Sequence, residues 1–176
     1  MGIFELLADV SGTRGLRFLV IGGHAINAYG YSRETGDLDI LVCRDDRAAW
    51  LSWFLSIDYT LFRDAGTFLQ LDAPPACQWP VDVMLVAEPS FSDMFAASVR
   101  LEDHPTRPRI PSVDHLLALK LHALKHTRIH RFLKDFQDVV GLIECQKLDP
   151  DSEKLRQLFE KYGTMDLYEK VRRALS

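Results

Sequence analysis

The spacing of hydrophobic residues changes at about residue 111, and this change limits the folds that the chain can adopt. Before it, short apolar runs such as Leu16–Ile21 and Leu38–Cys43 have the length of buried strands and alternate with helical segments. After it, every segment shows helical spacing. The pattern predicts an α/β region over residues 1–110 and a small helical bundle over residues 111–176, joined by the proline-rich segment "HPTRPRIP".

Composition narrows the classes of protein that fit this plan. Of the 176 residues, 47% are hydrophobic and 26% are charged, which suffices for a hydrophobic core. No apolar run approaches the roughly 18 residues that span a bilayer, and the N-terminal segment carries acids where a signal peptide carries bases. The three cysteines lie far apart, without the spacing of a zinc site. We therefore expect a cytoplasmic protein that does not enter a membrane. The net charge of −4 limits any nucleic-acid contact to a local basic patch.

Two aspartates lie at the start of the second predicted strand, in the stretch "GDLDILV". Side chains at positions i and i+2 of a strand point to the same face, so Asp37 and Asp39 are expected to project together. A third aspartate, Asp82, lies in the strand "VDVMLV", on the face opposite its apolar neighbours. If the two strands are neighbours, the three carboxylates converge. Such like charges repel unless a cation lies between them, and Mg²⁺ is commonly held by one or two carboxylates and substrate phosphates.

A pair of glycines closes the first predicted strand. Gly22 and Gly23 follow the run Leu16–Ile21 directly, and a short helix is expected over residues 24–29. A Gly-Gly turn between a strand and a helix lets backbone N–H groups approach a phosphate closely. A phosphate cradle next to a carboxylate-held metal ion is typical of phosphoryl or nucleotidyl transfer. A tight turn alone is the other reading of the two glycines.

Together these motifs resemble a known superfamily. The two glycines, the Asp-Leu-Asp element and the later lone Asp82 are similar to the nucleotidyltransferases that use a polymerase-β-like palm. "RETGDLDILV", followed by helical "LLALKLHALK" and "KDFQDVV", resembles one branch in particular. That branch contains the AbiEii-type nucleotidyltransferases, toxin components of bacterial abortive-infection and toxin–antitoxin systems, and related uncharacterised bacterial proteins. The resemblance covers roughly residues 17–143, and His24 stands where the superfamily pattern has serine.

The resemblance implies a fold and a reaction. The fold is a palm with a mixed β-sheet, followed by a helical bundle. The reaction moves a nucleoside monophosphate from an NTP–Mg²⁺ complex to an acceptor hydroxyl and releases pyrophosphate. Asp37, Asp39 and Asp82 would hold Mg²⁺ or Mn²⁺ and act in catalysis, while Gly22 and Gly23 would bind the β- and γ-phosphates.

The same resemblance implies a role for three further residues. Lys120 lies within an apolar helical stripe, from which a lysine either reaches solvent or contacts an anion; in the family, a lysine here contacts the nucleotide phosphates. In the family, the first aspartate of the KDxxD segment matters for activity, and Asp135 occupies that position here. Alternatively, Asp135 and Asp138 belong to a solvent-exposed helix face with salt bridges one turn away. Arg33 resembles the family's nucleotide-site arginine, or else it lies on a surface loop.

Partners and alternatives remain open at the level of sequence. The acceptor can be an RNA end, a protein side chain or a small molecule, and an antitoxin partner is expected only for a toxin. A rival hypothesis is a non-catalytic palm-fold protein with a regulatory or antitoxin-like role.

The helical region carries two further patterns. His122, His126 and His130 have the spacing of a zinc ladder, although no glutamate accompanies them and a solvent-facing stripe is favoured. The basic stretch 125–134 is either an RNA contact or an ordinary charged helix face.

Overall fold

The computed structural model describes residues 2–77, 79–126 and 129–176, and the side chains of all of these except Ile129 and His130. The three histidines at the spacing of a zinc ladder and the basic stretch 125–134 therefore lie partly outside the described residues.

The chain forms two compact units that do not follow the order of the sequence strictly. The first unit contains residues 1–25 and 34–111, and the second contains residues 26–33 and 112–176.

The first unit is built from helices and strands in alternation. Its helices are α1 (Ile3–Arg14), α2 (Gly22–Ala28), which continues into the second unit, α3 (Arg47–Ser56) and α4 (Glu88–Ala96). Its strands are β1 (Phe18–Val20), β2 (Leu38–Cys43), β3 (Thr60–Asp64), β4 (Phe68–Asp72), β5 (Val81–Val86), β6 (Val99–Arg100) and β7 (Arg109–Ile110). The predicted strand Leu38–Cys43 is confirmed residue for residue.

One prediction of helix length is wrong. The apolar spacing of the N-terminal sequence predicts a helix over residues 3–9, but α1 continues to Arg14. Gly15 adopts a left-handed conformation with φ 67°, and its backbone N–H donates to the carbonyl of Ser11. This C-terminal cap ends the helix five residues later than the apolar spacing indicates.

Among the described residues, five strands form one mixed sheet in the order β1–β2–β5–β4–β3. β2 and β5 run parallel, whereas the β1–β2, β5–β4 and β4–β3 pairs are antiparallel. In β5, alternate side chains are buried, namely Val81, Val83 and Leu85, whereas in β2 Asp39 is the one half-buried residue and lies between the buried Leu38 and Ile40. The residues between them therefore point to the other face of the sheet. β6 and β7 pair separately as a short antiparallel ribbon.

The second unit is helical. Its helices are α5 (Val113–His126), α6 (Ile129–Cys145), α7 (Glu153–Tyr162) and α8 (Met165–Leu175). α7 and α8 are preceded by the N-cap residues Ser152 and Thr164, whose hydroxyls accept hydrogen bonds from backbone N–H groups three residues later. The buried side chains of this unit include Leu117, Leu121, Leu124, Val139, Leu142, Phe159, Leu167 and Val171. In the described part of the chain, no helix has both the length and the apolar character to cross a membrane.

Candidate active site

Three carboxylates meet on one face of the central sheet. Asp39 of β2 and Asp82 of β5 are direct partners in the register of these parallel strands. Asp37 precedes Asp39 by two residues and lies just before β2. One carboxylate oxygen from each of the three lies within 4.8 Å of the others. The structure thus brings together the three aspartates that the sequence singled out.

The local sequence explains this placement. In β2, Asp39 is flanked by the buried residues Leu38 and Ile40, and in β5, Asp82 is flanked by Val81 and Val83. Burial of these neighbours fixes which face each aspartate occupies, because a shift of one residue would turn the apolar side chains out of the core.

Asp37 is held by the loop that precedes β2. The hydroxyl of Thr35 lies 3.1 Å from the backbone carbonyl of Asp37 and 3.2 Å from its carboxylate Oδ1, and it donates to these oxygens. This contact orients the aspartate that lies just outside the regular strand.

Gly22 stands directly against Asp39. Gly22 has φ 58°, in the left-handed region that glycine adopts most readily. A Cβ atom at this position would lie 2.5 Å from Cγ and 2.8 Å from Cβ of Asp39, closer than van der Waals contact allows. The backbone N–H of Ile21, the preceding residue, donates to the carbonyl of Asp39 at 2.9 Å. α2 therefore begins at the Gly22-Gly23 pair, beside the carboxylates. Because Gly22 has no Cβ atom, the side chain of Asp39 can occupy the space next to it.

Gln70 joins the carboxylates from β4. Its position is the register partner of Asp82 across the antiparallel β4–β5 pair. The side-chain amide Nε2 donates to Oδ1 and Oδ2 of Asp82, at 3.3 Å in each case. Sequence reasoning did not find this residue, because a single glutamine in a strand gives no signal of its cross-strand partner.

The carboxylate cluster fits a hard divalent cation. Mg²⁺ and Mn²⁺ prefer oxygen ligands, and Mg²⁺ is usually bound by one or two carboxylates together with substrate phosphates. Three carboxylate oxygens within 4.8 Å of one another supply this donor set, on half-buried side chains that remain accessible.

In the second unit, Lys120 and Arg33 belong to a cluster of buried ion pairs. Nζ of Lys120 lies 2.8 Å from Oδ1 of Asp135 and 2.6 Å from Oδ2 of Asp138. Arg33 contacts the same Asp138 through two nitrogens, with Nε 2.8 Å from Oδ1 and Nη2 3.3 Å from Oδ2. The Asn27 side chain makes two hydrogen bonds of 2.9 Å to the backbone of Arg33. Two cations and two carboxylates thus compensate each other within the second unit.

This cluster corrects one interpretation of the sequence. Asp138 is fully buried and Asp135 is 7% exposed, so a solvent-exposed, salt-bridged face is wrong for these two aspartates. Both carboxylates pair with Lys120, whereas Arg131 and Lys134, their alternative partners one turn away on the same helix, are exposed. The nucleotide-binding roles of Lys120 and Arg33 stay predictions. His122 and His126 are exposed, with ring centroids 4.6 Å apart, and the side chain of His130 lies outside the described residues.

Comparisons with known proteins give fold-level similarity. No protein-family model matches the chain, and no curated protein matches it. The solution structure of the antibiotic-resistance factor ANT(2'')-Ia matches with a TM-score of 0.66 and 14% identity, over 98% of this chain and 93% of that one. The lincosamide antibiotic adenylyltransferase LnuA, solved with lincomycin, has a TM-score of 0.58 and 14% identity, over 81% and 95% of the two chains. An antigenic nucleotidyltransferase-like protein from Paracoccidioides brasiliensis has a TM-score of 0.55 and 16% identity, over 97% and 90%. The chain therefore has the fold of the nucleotidyltransferases.

Proposed function

We propose that this protein is a metal-dependent nucleotidyltransferase, which moves a nucleoside monophosphate from an NTP to an acceptor hydroxyl. The observation that carries the proposal is the convergence of Asp37, Asp39 and Asp82 within 4.8 Å, on strands of a nucleotidyltransferase fold. Like charges at this distance destabilise an empty site. Three carboxylates on two adjacent strands favour a catalytic centre over a non-catalytic, partner-binding palm.

The proposed roles follow from the placement of each side chain. Asp37 and Asp39 hold Mg²⁺ or Mn²⁺, and Asp82 completes a second position. When bound, such an ion neutralises phosphate charge and lowers the pKa of a coordinated hydroxyl or water. Gly22 and Gly23 offer backbone N–H groups to the β- and γ-phosphates, without a Cβ that would displace Asp39.

The reaction requires little further chemistry from the protein. The acceptor hydroxyl oxygen bonds to the α-phosphorus, the bond from this phosphorus to the β-bridging oxygen breaks, and pyrophosphate leaves. Asp82 either takes the hydroxyl proton or serves as a metal ligand near the hydroxyl. Positioning and charge neutralisation account for most of the rate in reactions of this kind.

Lys120, Arg33 and Asp135 are proposed to contribute to the nucleotide site, on the strength of the family resemblance. In that role, Lys120 contacts phosphate oxygens and Arg33 assists nucleotide binding. Asp135 holds Lys120, which is consistent with their 2.8 Å ion pair. A charge-assisted contact to phosphate is worth about 1.5–3 kcal/mol, enough to change NTP affinity about tenfold or more.

We also propose, from the same resemblance, a role in a bacterial toxin–antitoxin or abortive-infection system, with an antitoxin as partner. The acceptor would then be an RNA end or a protein side chain. A small-molecule acceptor is also compatible with this fold, because LnuA was crystallised with the small molecule lincomycin.

A transfer assay with α-labelled NTPs tests the proposed activity. The protein is incubated with each NTP in turn and with total RNA, cell lysate or small-molecule acceptors, with Mg²⁺, with Mn²⁺ or with EDTA. We expect label to enter one acceptor class in the presence of a divalent cation and not with EDTA.

A matched pair of variants makes the assay specific. Asp39→Asn removes one carboxylate from the cluster and should lower transfer about a hundredfold or more. Asp93→Asn makes the same change on the exposed surface of α4 and should leave transfer at the wild-type rate. Absence of label in every acceptor class, with every NTP, would favour the non-catalytic palm.

A further inference from the structure

We infer that Gln70 is a positioning residue for the metal centre, acting through Asp82. The inference rests on the proposed function and extends it to a residue outside the carboxylate cluster. Its basis is the pair of hydrogen bonds from Nε2 of Gln70 to both carboxylate oxygens of Asp82, each 3.3 Å long.

The register of the sheet places Gln70 where it can do this. Asp39, Asp82 and Gln70 occupy one row across β2, β5 and β4, because Asp39 pairs with Asp82 and Gln70 pairs with Asp82 in the strand registers. Directly opposed side chains of antiparallel strands have Cβ atoms about 4.5–5.5 Å apart. Gln70 is therefore a permanent neighbour of Asp82, fixed by backbone pairing rather than by a flexible loop.

The chemistry of an amide suits a residue beside three carboxylates. An amide N–H₂ donates hydrogen bonds to a carboxylate and carries no charge. It therefore fixes the direction of the Asp82 carboxylate and leaves the negative charge of the cluster available to a cation. A lysine or arginine at this position would neutralise that charge and compete with the metal ion.

The next residue in the row does not take over this role. Arg63 of β3 is the register partner of Gln70, and its guanidinium carbon lies 5.4 Å from the centroid of the Phe68 ring. This is the distance of a cation–π contact. The cation of the row is thus engaged by an aromatic ring of β4, while the neutral amide contacts the carboxylate.

Titration of the metal-free protein with Mn²⁺, followed by the electron paramagnetic resonance signal of free Mn²⁺, tests the inference without an activity assay. Gln70→Met keeps the length of the side chain and removes its donor. Loss of a group that orients a metal ligand typically costs 10–100-fold in metal affinity, and we expect a weakening in this range. Gln157→Met makes the same change on the exposed surface of α7 and should leave Mn²⁺ affinity unchanged.

A double-mutant cycle distinguishes positioning from a general structural effect. If Gln70 acts through Asp82, then Asp82→Ala, which removes both acceptor oxygens, and the double variant Asp82→Ala/Gln70→Met should bind Mn²⁺ equally weakly, within about twofold. A further loss in the double variant would overturn the inference. Circular dichroism checks folding of each variant, and Gln70→Thr, which suits a strand, repeats the test if the methionine variant does not fold.

The possible results separate this inference from the proposed function. Wild-type binding of Mn²⁺ with an unchanged affinity in Gln70→Met would overturn the role of Gln70 alone. No binding of Mn²⁺ by the wild-type protein would contradict the metal centre, and with it both proposals.

Discussion

Gly22 has the tightest geometric constraint at the carboxylate cluster. Two requirements coincide at this residue: a left-handed backbone with φ 58°, and the close approach of the Asp39 side chain. Any other residue would have to adopt the strained left-handed backbone, and its Cβ atom would displace Asp39, a proposed metal ligand. Glycine is the residue that meets both conditions at no steric cost.

Gly22→Ala should therefore lose metal binding as well as stability. The left-handed backbone costs about 1–2 kcal/mol for alanine, and the displaced Asp39 should weaken Mn²⁺ affinity by about tenfold or more. Gly15→Ala is the matched control, because Gly15 has φ 67° and open space around its Cβ position. It should lose a similar free energy of unfolding and keep Mn²⁺ affinity. Equal Mn²⁺ affinities in the two variants would contradict the contact between Gly22 and Asp39.

Individual residues of the site differ in how far the sequence could predict them. The approach of Asp37 to Asp39 was predictable from strand periodicity, although Asp37 lies just before β2 and is oriented by Thr35. Asp82 required the further assumption that β2 and β5 are neighbours, which their parallel register now supplies. Gln70 was not predictable, because its contact depends on the pairing of β4 with β5, and no local pattern encodes that pairing.

At the scale of elements, the buried ion pairs tie α5 and α6 to the segment that carries Arg33. Asp138 contacts both Lys120 and Arg33 and has no exposed surface. Removal of one partner from a buried ion pair leaves the other charge uncompensated in a medium of low dielectric constant. Stability of the helical unit should therefore depend strongly on Asp138.

We predict that Asp138→Asn lowers the free energy of unfolding by about 3–5 kcal/mol, as measured by urea denaturation. Asp114→Asn is the matched control on α5, where Asp114 pairs with Lys154 and their side chains are 41% and 72% exposed. Exposed ion pairs contribute at most about 1 kcal/mol, so this variant should remain close to wild type. A loss at Asp138 no larger than that at Asp114 would show that the buried pairs do not stabilise the unit.

The same contacts bear on a substitution at Lys120. Its position within an apolar stripe predicts, from the sequence alone, that methionine would replace it without loss of stability. In the structure, Lys120 compensates Asp135 and Asp138, a role that only the tertiary packing reveals. We therefore expect Lys120→Met, like Asp138→Asn, to lower the free energy of unfolding.

Other elements were missed for identifiable reasons. α4 begins with a proline in its first turn, which is a recognisable start signal, but it is short and follows β5 without a turn motif. β6 and β7 have two residues each, too few for any alternation of apolar and polar side chains to be visible.

At the scale of the whole molecule, the fold limits the reaction and leaves the acceptor open. Similarities of 14–16% identity with solved structures show a common fold, and one fold supports many substrates through its variable surfaces. The net charge of −4 adds that an RNA acceptor would need a local basic surface. The acceptor is therefore a question for the transfer assay.

The transfer rate of Asp82→Asn tests most directly whether Asp82 of β5 forms one catalytic centre with Asp37 and Asp39, which lie at the start of β2. We predict a loss of about a hundredfold or more, the usual scale for removal of general-base or second-metal assistance. The melting temperature without metal should not fall, because the substitution removes like-charge repulsion from the empty site, and the amide oxygen of the introduced asparagine would still accept a hydrogen bond from Gln70. Transfer by Asp82→Asn at the wild-type rate would contradict the proposed catalytic centre.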